Sequence, residues 1–370
     1  MKTLRRLVHG EMLQSVAFVA LGFLALFAFF DLVDEVQQVG KGLASSPYQI
    51  KHALLFCLLR VPSHLYDLFP IAVLIGTIAV MARFAQSSEF TILRTSGLGP
   101  WRALKTLLSL GAVFTLMTFA LGDYIAPAAD RGAQLLKSRF LGEITLGQTG
   151  AWLKEKQRYT NFAVNVGSLT ANAGMGKIRI FEFDAQGKLL SSVQAESGRF
   201  GEDDSWILQK AERTEYVSGV KDRASIETSA LQSDYRWPTA LSAEMVSVAL
   251  LKPDRMATID LFQYIRHLDA NGQSAQLYEI EFWRKVFYPL SCLVMVVLAL
   301  PFAYLHFRSG SITGYVFMGV MAGISFFLLN NVFGYMGNLN NWQPWLAAAA
   351  PGLLYSLVSL GAFTWLVLRQ

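Results

Sequence analysis

Long apolar runs, broken by short polar stretches, occupy both ends of this 370-residue chain, and its middle alternates polar and apolar positions. A bilayer core of about 30 Å is crossed by roughly 20 apolar residues in a helix. Six stretches meet that length, at about 12–34, 64–83, 103–124, 286–305, 312–335 and 345–368. In lipid only helices and closed barrels satisfy every backbone polar group, so each stretch predicts a helix. The first ends in Phe29-Phe30-Asp31 with no small-residue cleavage site. It is also too long for the apolar core of a signal peptide, which predicts an uncleaved first helix.

The middle reads as strands. Ile178 to Phe183 alternates with period two, Asp184-Ala185-Gln186-Gly187 makes a turn, and Lys188-Leu189-Leu190 resumes. Glu202 to Ser205 is a second turn, followed by short strands at Trp206-Ile207-Leu208, Thr214 to Val217 and Tyr235-Arg236-Trp237. Several short strands with regular turns predict a β-sandwich or jelly roll. Thr258 to Asn271 returns to helical spacing through Leu261, Ile265 and Leu268. The fold class is therefore an α-helical membrane protein with six transmembrane helices, three before and three after an inserted β domain. The expected organisation is residues 1–140 for spans one to three, 141–255 for the β domain, and 256–370 for a connecting helix and spans four to six.

Composition sharpens this picture. Hydrophobic residues make up 53% of the chain and charged residues only 16%, against about a quarter in soluble domains. The charges gather between about 150 and 285, as a soluble insert between membrane ends requires. The net charge of +5 has two readings: Lys and Arg in cytoplasmic loops, or an acidic ligand. Cys57 and Cys292 lie far apart in apolar sequence, which suggests neither a metal site nor a disulfide framework.

Lys and Arg in short loops set the orientation. Lys2, Arg5 and Arg6, then Arg83, Arg94, Arg102 and Lys105, then Arg308, then Arg369 all fall on one side of a six-span layout. That side is cytoplasmic and both termini lie there, although Lys41, Lys51 and Arg60 weaken the asymmetry. The β domain then lies outside.

Three features have chemistry to weigh. The loop from Gln86 to Pro100 has a short helix signal at Ser88 to Thr95 and a stop at Gly97. It is either a plain helical connection or a coupling element that docks on a cytoplasmic partner. Asp31, Asp67, Asp123, Asn330 and Asn331 lie at membrane depth or its edge, where charge is costly. Asp31 and Asp123 sit at span ends and read as solvated, whereas Asn330-Asn331 reads as an interhelical hydrogen-bonding pair. Arg131, Lys137 and Arg139 follow span three and are either solvated charges or a site for anionic headgroups. The chain has no P-loop, no His-Glu-x-x-His and no Gly-x-Ser-x-Gly, and its five histidines do not cluster.

Several local sequences resemble the LptF/LptG permeases of the lipopolysaccharide export system, the LptG branch more than LptF. They are Arg60-Val61-Pro62 through Leu68-Phe69-Pro70, Ser88-Glu89-Phe90 through Thr95-Ser96-Gly97, Gly122-Asp123-Tyr124-Ile125-Ala126-Pro127, and Phe282-Trp283-Arg284-Lys285-Val286-Phe287-Tyr288-Pro289-Leu290. The resemblance runs over essentially the whole chain. It implies a bacterial inner-membrane, multi-pass permease subunit of an ABC transporter with a periplasmic β-jelly roll. Such a subunit extracts lipopolysaccharide and passes it toward a periplasmic bridge.

The resemblance further implies an LptF-like paralogous permease, two copies of an LptB-like cytoplasmic ATPase, and LptC-like and LptA-like periplasmic jelly-roll proteins as partners. ATP and magnesium would be used by the ATPase, with no cofactor, metal, nucleic acid or catalytic residue on this chain. The coupling set would be Glu89, Phe90, Leu93, Arg94, Ser96 and Gly97, with Glu89 contacting a basic ATPase residue. Leu68 and Phe69 would line the acyl-chain cavity. Family members carry several lysines after span one, where this chain has the acidic stretch Asp31 to Lys41. Headgroup binding would then fall to Lys41, Arg131, Lys137 and Arg139, or the substrate would carry fewer phosphates. Two rival readings are a membrane-anchored scaffold whose β domain binds a protein, and a lipid-modifying enzyme with a site assembled across spans.

Overall fold

The structure, a computed structural model, describes residues 2–41, 47–87, 100–141, 150–157, 160–169, 174–201, 205–218, 224–230, 234–242, 245–246, 253–304 and 312–368. Helix α1 spans Lys2–Val36, α2 Ile50–Gln86, and α3 Pro100–Ala120, which runs through a π turn at Leu121–Ile125 into α4, Ala126–Leu141. After the β domain come α5 (Thr258–Ala270), α6 (Gln276–Phe287), α7 (Ser291–Leu298), α8 (Ile312–Leu339) and α9 (Pro344–Leu368). Six helical segments among the described residues are long and apolar enough to cross a membrane.

The helices outrun their apolar cores. The second span reads as 64–83 from its apolar run, yet α2 starts at Ile50 and passes through Pro62 and Pro70. Polar turns prolong a helix outside lipid, because its internal hydrogen bonds do not depend on apolar side chains. The fourth span is segmented instead. Short 3-10 turns at Tyr288–Leu290 and Leu300–Tyr304 contain Pro289 and Pro301, each of which lacks an N–H for the α-helical ladder.

The chain divides into two compact units. The first comprises Met1–Val33, Arg60–Ala129 and Gln276–Gln370. Its core joins Met12 and Val16 of α1, Val73, Leu74 and Ile78 of α2, Leu107 and Phe114 of α3, Met295 and Val296 of α7, and Phe326 and Tyr355 of α8 and α9. Gly76 permits the approach of α1 to α2, since a Cβ there would lie 2.7 Å from the Val16 Cα. Outward apolar side chains such as Phe18, 80% exposed, and Leu357, 73% exposed, suit contact with lipid rather than water.

The second unit, Asp34–Leu59 with Asp130–Ala275, contains the sheet. Its strands are β1 (Ala151–Lys156), β2 (Asn161–Leu169), β3 (Gly174–Phe183), β4 (Leu189–Phe200), β5 (Ser205–Ser218), β6 (Ala224–Ala230) and β7 (Tyr235–Pro238). They pair antiparallel in sequence order from β1 to β6, and β7 pairs with β5. The far edge of β5 is thus shared, by β6 along Glu212 to Ser218 and by β7 along Ser205 to Leu208.

The sequence suggests separate strands at Trp206–Leu208 and Thr214–Val217, but β5 runs unbroken through both. The reason is a face switch within the strand. Lys177 and Lys210 have φ of 52° and 48°, conformations that insert an extra residue without ending a strand. Met175, Gly198 and Leu208 form one inward row, and Ile178, Ala195 and Ala211 form the next, three positions along rather than two. Because neighbouring strands switch together, the pairing from Met175 to Ile178 and from Leu208 to Ala211 keeps its register while the period-two pattern is interrupted. Helix α5 belongs to the same unit and buries Leu261, Tyr264 and Leu268.

Candidate functional site

The coupling set Glu89, Phe90, Leu93, Arg94, Ser96 and Gly97 lies outside the described residues. The four headgroup candidates are all in the second unit, where they differ in what holds them. Arg131 and Lys137 of α4 are engaged: Arg131 pairs with Asp260 of α5, and Lys137 Nζ lies 3.1 Å from Glu35 Oε2 of α1. Lys137 also stands 4.8 Å above the Phe56 ring, a cation–π contact. Lys41 is exposed, its Nζ only 3.5 Å from Gln38 Oε1. Arg139 is exposed and has no ion-pair partner among the described residues. Successive helical residues turn by about 100°, so Arg131, Lys137 and Arg139 do not share one face of α4.

Glu35 is the buried member of its pair, with a side chain 5% exposed. Tyr48, from the connection between α1 and α2, is fully buried beside it. Burial, reinforced by the Glu35 carboxylate, raises the Tyr48 phenol well above its ordinary value. In the first unit Asp31 is not the solvated end group expected from sequence. Its Oδ2 lies 2.6 Å from His64 Nε2 and 3.9 Å from Arg60 Nε, and Phe27 covers the His64 ring at 5.2 Å. A helical offset of four residues puts Arg60 and His64 on one face of α2, where both meet Asp31. Within each unit, then, an acidic side chain of the Asp31–Lys41 stretch has a basic neighbour.

The two acyl-cavity candidates also separate. Phe69 is buried in the first unit's core, edge-on to Phe114 at 5.7 Å, while Leu68 is half-buried. Beside them three of the four local sequences singled out above converge. Lys285 of α6 is buried and donates from Nζ to the Gly122 carbonyl at 2.8 Å. Its ammonium lies 5.7 Å from the Tyr66 ring centroid. Tyr66 and Tyr288 pack at 5.2 Å, and the Tyr288 hydroxyl donates to the Asp67 carbonyl at 2.5 Å.

The need for Lys285 is local. In the π turn the Ala126 N–H bonds the Leu121 carbonyl. The next donor in that pattern would be residue 127, which is proline. The Gly122 carbonyl therefore loses its helical partner, and a buried carbonyl must find another. Sequence reasoning missed this site, although Pro127 five residues after Gly122 was its signal. Arg284, next to Lys285, donates to Glu281 Oε1 at 2.6 Å and to Asn331 Oδ1 of α8 at 3.0 Å.

The inner face of the sheet is apolar. Leu153, Val164, Ile180 and Val193 form a continuous cross-strand row from β1 to β4. Toward one end it turns polar, where Arg213 meets Glu182 at 3.6 Å and Glu215 at 3.1 Å. Among the described residues no group of three or more His, Cys, Asp or Glu side chains is placed to hold a metal ion.

Among the described residues, six helical segments able to cross a membrane, divided three and three by an antiparallel β domain with an apolar inner face, define a multi-pass membrane protein with an inserted β domain. The profile of the lipopolysaccharide export system permease LptF/LptG family matches residues 6–368, and the chain belongs to that family. It is 26% identical over 349 residues to the lipopolysaccharide export system permease protein LptG of Escherichia coli (strain K12), covering 94% of this chain and 92% of that protein. The LptG protein of Haemophilus influenzae is 26% identical over 371 residues, covering 100% of this chain and 99% of that protein.

Proposed function

We propose that this chain is one of two permease subunits of an ATP-driven transporter that extracts lipopolysaccharide from the bacterial inner membrane and passes it toward a periplasmic bridge. The observation that carries the reading is agreement with the family from residue 6 to residue 368, spans and β domain included. An LptF-like paralogue completes the membrane channel. Two LptB-like ATPases bind ATP and magnesium and supply the work. LptC-like and LptA-like jelly-roll proteins receive the lipid. Both termini and the coupling loop face the cytoplasm and the β domain faces the periplasm, in keeping with the Lys and Arg of the short loops.

In this reading each acyl methylene leaving the bilayer costs about 0.8 kcal/mol unless apolar surface receives it. Apolar residues near Leu68 supply that surface in the spans, and the row from Leu153 to Val193 supplies it in the β domain. ATPase closure moves the coupling loop around Glu89 and collapses the cavity. Arg139 and Lys41 are the cations most available to headgroup phosphates, because Arg131 and Lys137 already hold carboxylates.

The test is ATP-driven release of lipopolysaccharide from liposomes containing this chain, the paired permease and the ATPase, against liposomes lacking this chain. Release that depends on the chain is the expected result. No release from an assembled, ATP-hydrolysing complex overturns the reading.

A further inference from the structure

Among the described residues, each hydrogen bond that closes the β sheet on one side has a side chain as donor or acceptor. Strands β1 to β5 and β7 are joined by backbone ladders, but β1 is the end of the order and has no ladder partner beyond β2 among the described residues. The gap is spanned by the segment that follows β7. Glu155, near the end of β1, accepts from the Thr239 hydroxyl at 2.5 Å and from the Ala240 N–H at 3.0 Å. Gln157 Nε2 donates to the Pro238 carbonyl at 3.2 Å. Pro238 has no N–H and so cannot extend a ladder toward β1. The closure is staggered, as in a barrel: β7 pairs with the first residues of β5, while Glu155 belongs to the row of Phe162 and Glu215 near the other end.

Behind this seam the packing is aromatic. Phe162, the cross-strand partner of Glu155, meets Trp237 edge-on at 5.7 Å, and Trp237 meets Trp206 at 5.3 Å. Trp206 Nε1 donates to the Leu241 carbonyl at 2.8 Å, which holds the far end of the strap. With the seam made, Leu153 is 2% exposed, Val164 0% and Ile180 2%, so the apolar face is sealed from solvent. A bulky apolar guest therefore needs an opening. A sheet opens most cheaply where side chains rather than a run of paired backbone groups hold it.

We propose that the β domain opens along the seam between β1 and the strap of residues 238–241, and that Glu155, through Thr239 and Ala240, is the clasp that holds it shut. The guest is an acyl chain, so the use of the clasp rests on the export reading above, while its existence does not. Glu155 is suited to the task because one buried carboxylate engages two donors on the strap, so a single side chain carries two of the contacts across the seam. The aromatic contacts are non-directional and can slide.

Two measurements on the full chain separate these claims. The first places a cysteine at Val164, behind the clasp, and reads its rate of maleimide labelling. The buried native Cys57 and Cys292 give the background. The double variant Glu155→Gln/Thr239→Val is expected to raise that rate at least tenfold. A cysteine at Met175, on the same inner face but at the far end of β3, is expected to stay slow. An unchanged rate at position 164, or equal acceleration at 175, overturns the clasp.

The second measurement joins Glu155→Cys to Thr239→Cys with a short reversible thiol cross-linker in the complete transporter in liposomes. Lipopolysaccharide release is expected to fall at least tenfold when linked and to return on reduction, with ATP hydrolysis unchanged. Equal release from the fully linked protein overturns a role for the seam in transport. If the unsubstituted transporter releases nothing, the export reading fails and the clasp stands or falls on the labelling result alone.

Discussion

The ammonium of Lys285 donates to the carbonyl oxygen of Gly122 at 2.8 Å, and Gly122 is the second residue of the π turn within the third span. A lysine is thereby buried among apolar helices to satisfy one backbone group that Pro127 leaves without a donor. π turns recur where a helix is bent to function, and this one is tied to the opening helix of the fourth span. Two consequences can be measured on the purified protein in detergent.

Lys285→Met keeps the side-chain length and removes the donor. The stranded Gly122 carbonyl is expected to cost about 1–3 kcal/mol, seen as a lower thermal midpoint. Lys285→Arg is not expected to restore it, because a planar guanidinium does not fit the space of a compact ammonium. An unchanged midpoint for the methionine variant would show that the bond contributes nothing.

Gly122→Ala places a Cβ 2.2 Å from Tyr66 Cε2, closer than any real contact, so the ring must move. Overpacking of this kind costs about 1–3 kcal/mol. Trimming the ring with Tyr66→Leu is expected to recover part of the loss, so the double variant is less destabilised than the sum of the singles. Strict additivity in thermal melts would show that the two residues do not compete for the space.

Lys137 and Arg139 are two residues apart on α4 but differ in consequence. Lys137→Ala leaves Glu35 buried without its cation, a loss of about 2 kcal/mol after allowing for the partial exposure of the lysine. Arg139→Ala, at an exposed position, is expected to stay within about 0.5 kcal/mol of the parent and to show its effect in lipopolysaccharide binding. Equal thermal midpoints for the two variants would contradict this ordering.

His267 of α5 has its pKa lowered by burial, with the Glu155 carboxylate opposing the shift. An unfolded histidine titrates near pH 6.5, so the unfolded state takes up a proton before the folded one does. The stability it contributes is present above about pH 6.5 and is lost as the pH falls through the lower folded value. Hydrogen exchange in α5, corrected for intrinsic rates, should speed up between pH 7.5 and 5.5. His267→Gln should flatten that step, and a step of the same size in both proteins would assign it elsewhere.

Glu89→Arg is expected to reduce co-purification of the ATPase while leaving the thermal midpoint of the permease unchanged. If Glu89 contacts a basic ATPase residue, as proposed, the reversed charge would place like charges at the contact, which costs several kcal/mol. Undiminished co-purification would remove Glu89 from the docking contact.

The number of spans, the place of the β domain and the helix at Thr258–Ala270 follow from composition and period alone. Lipid demands length and apolarity, which are local properties of a sequence. What tertiary structure decided is which polar groups meet. Asp31 reads as a solvated end residue until α2 brings His64 and Arg60 to it. Nothing in the sequence around Lys285 announces its partner, the Gly122 carbonyl of the π turn 163 residues away. The unbroken β5 hides behind Lys210, whose left-handed backbone shifts the alternation by one residue. Glu155 gives no sign in sequence of closing the sheet, because its partners at Thr239 and Ala240 arrive only when the strands curl. Burial of apolar surface is nearly additive along a chain and can be read from it. Pairing of buried polar groups is a property of distance in three dimensions, and only the fold sets those distances.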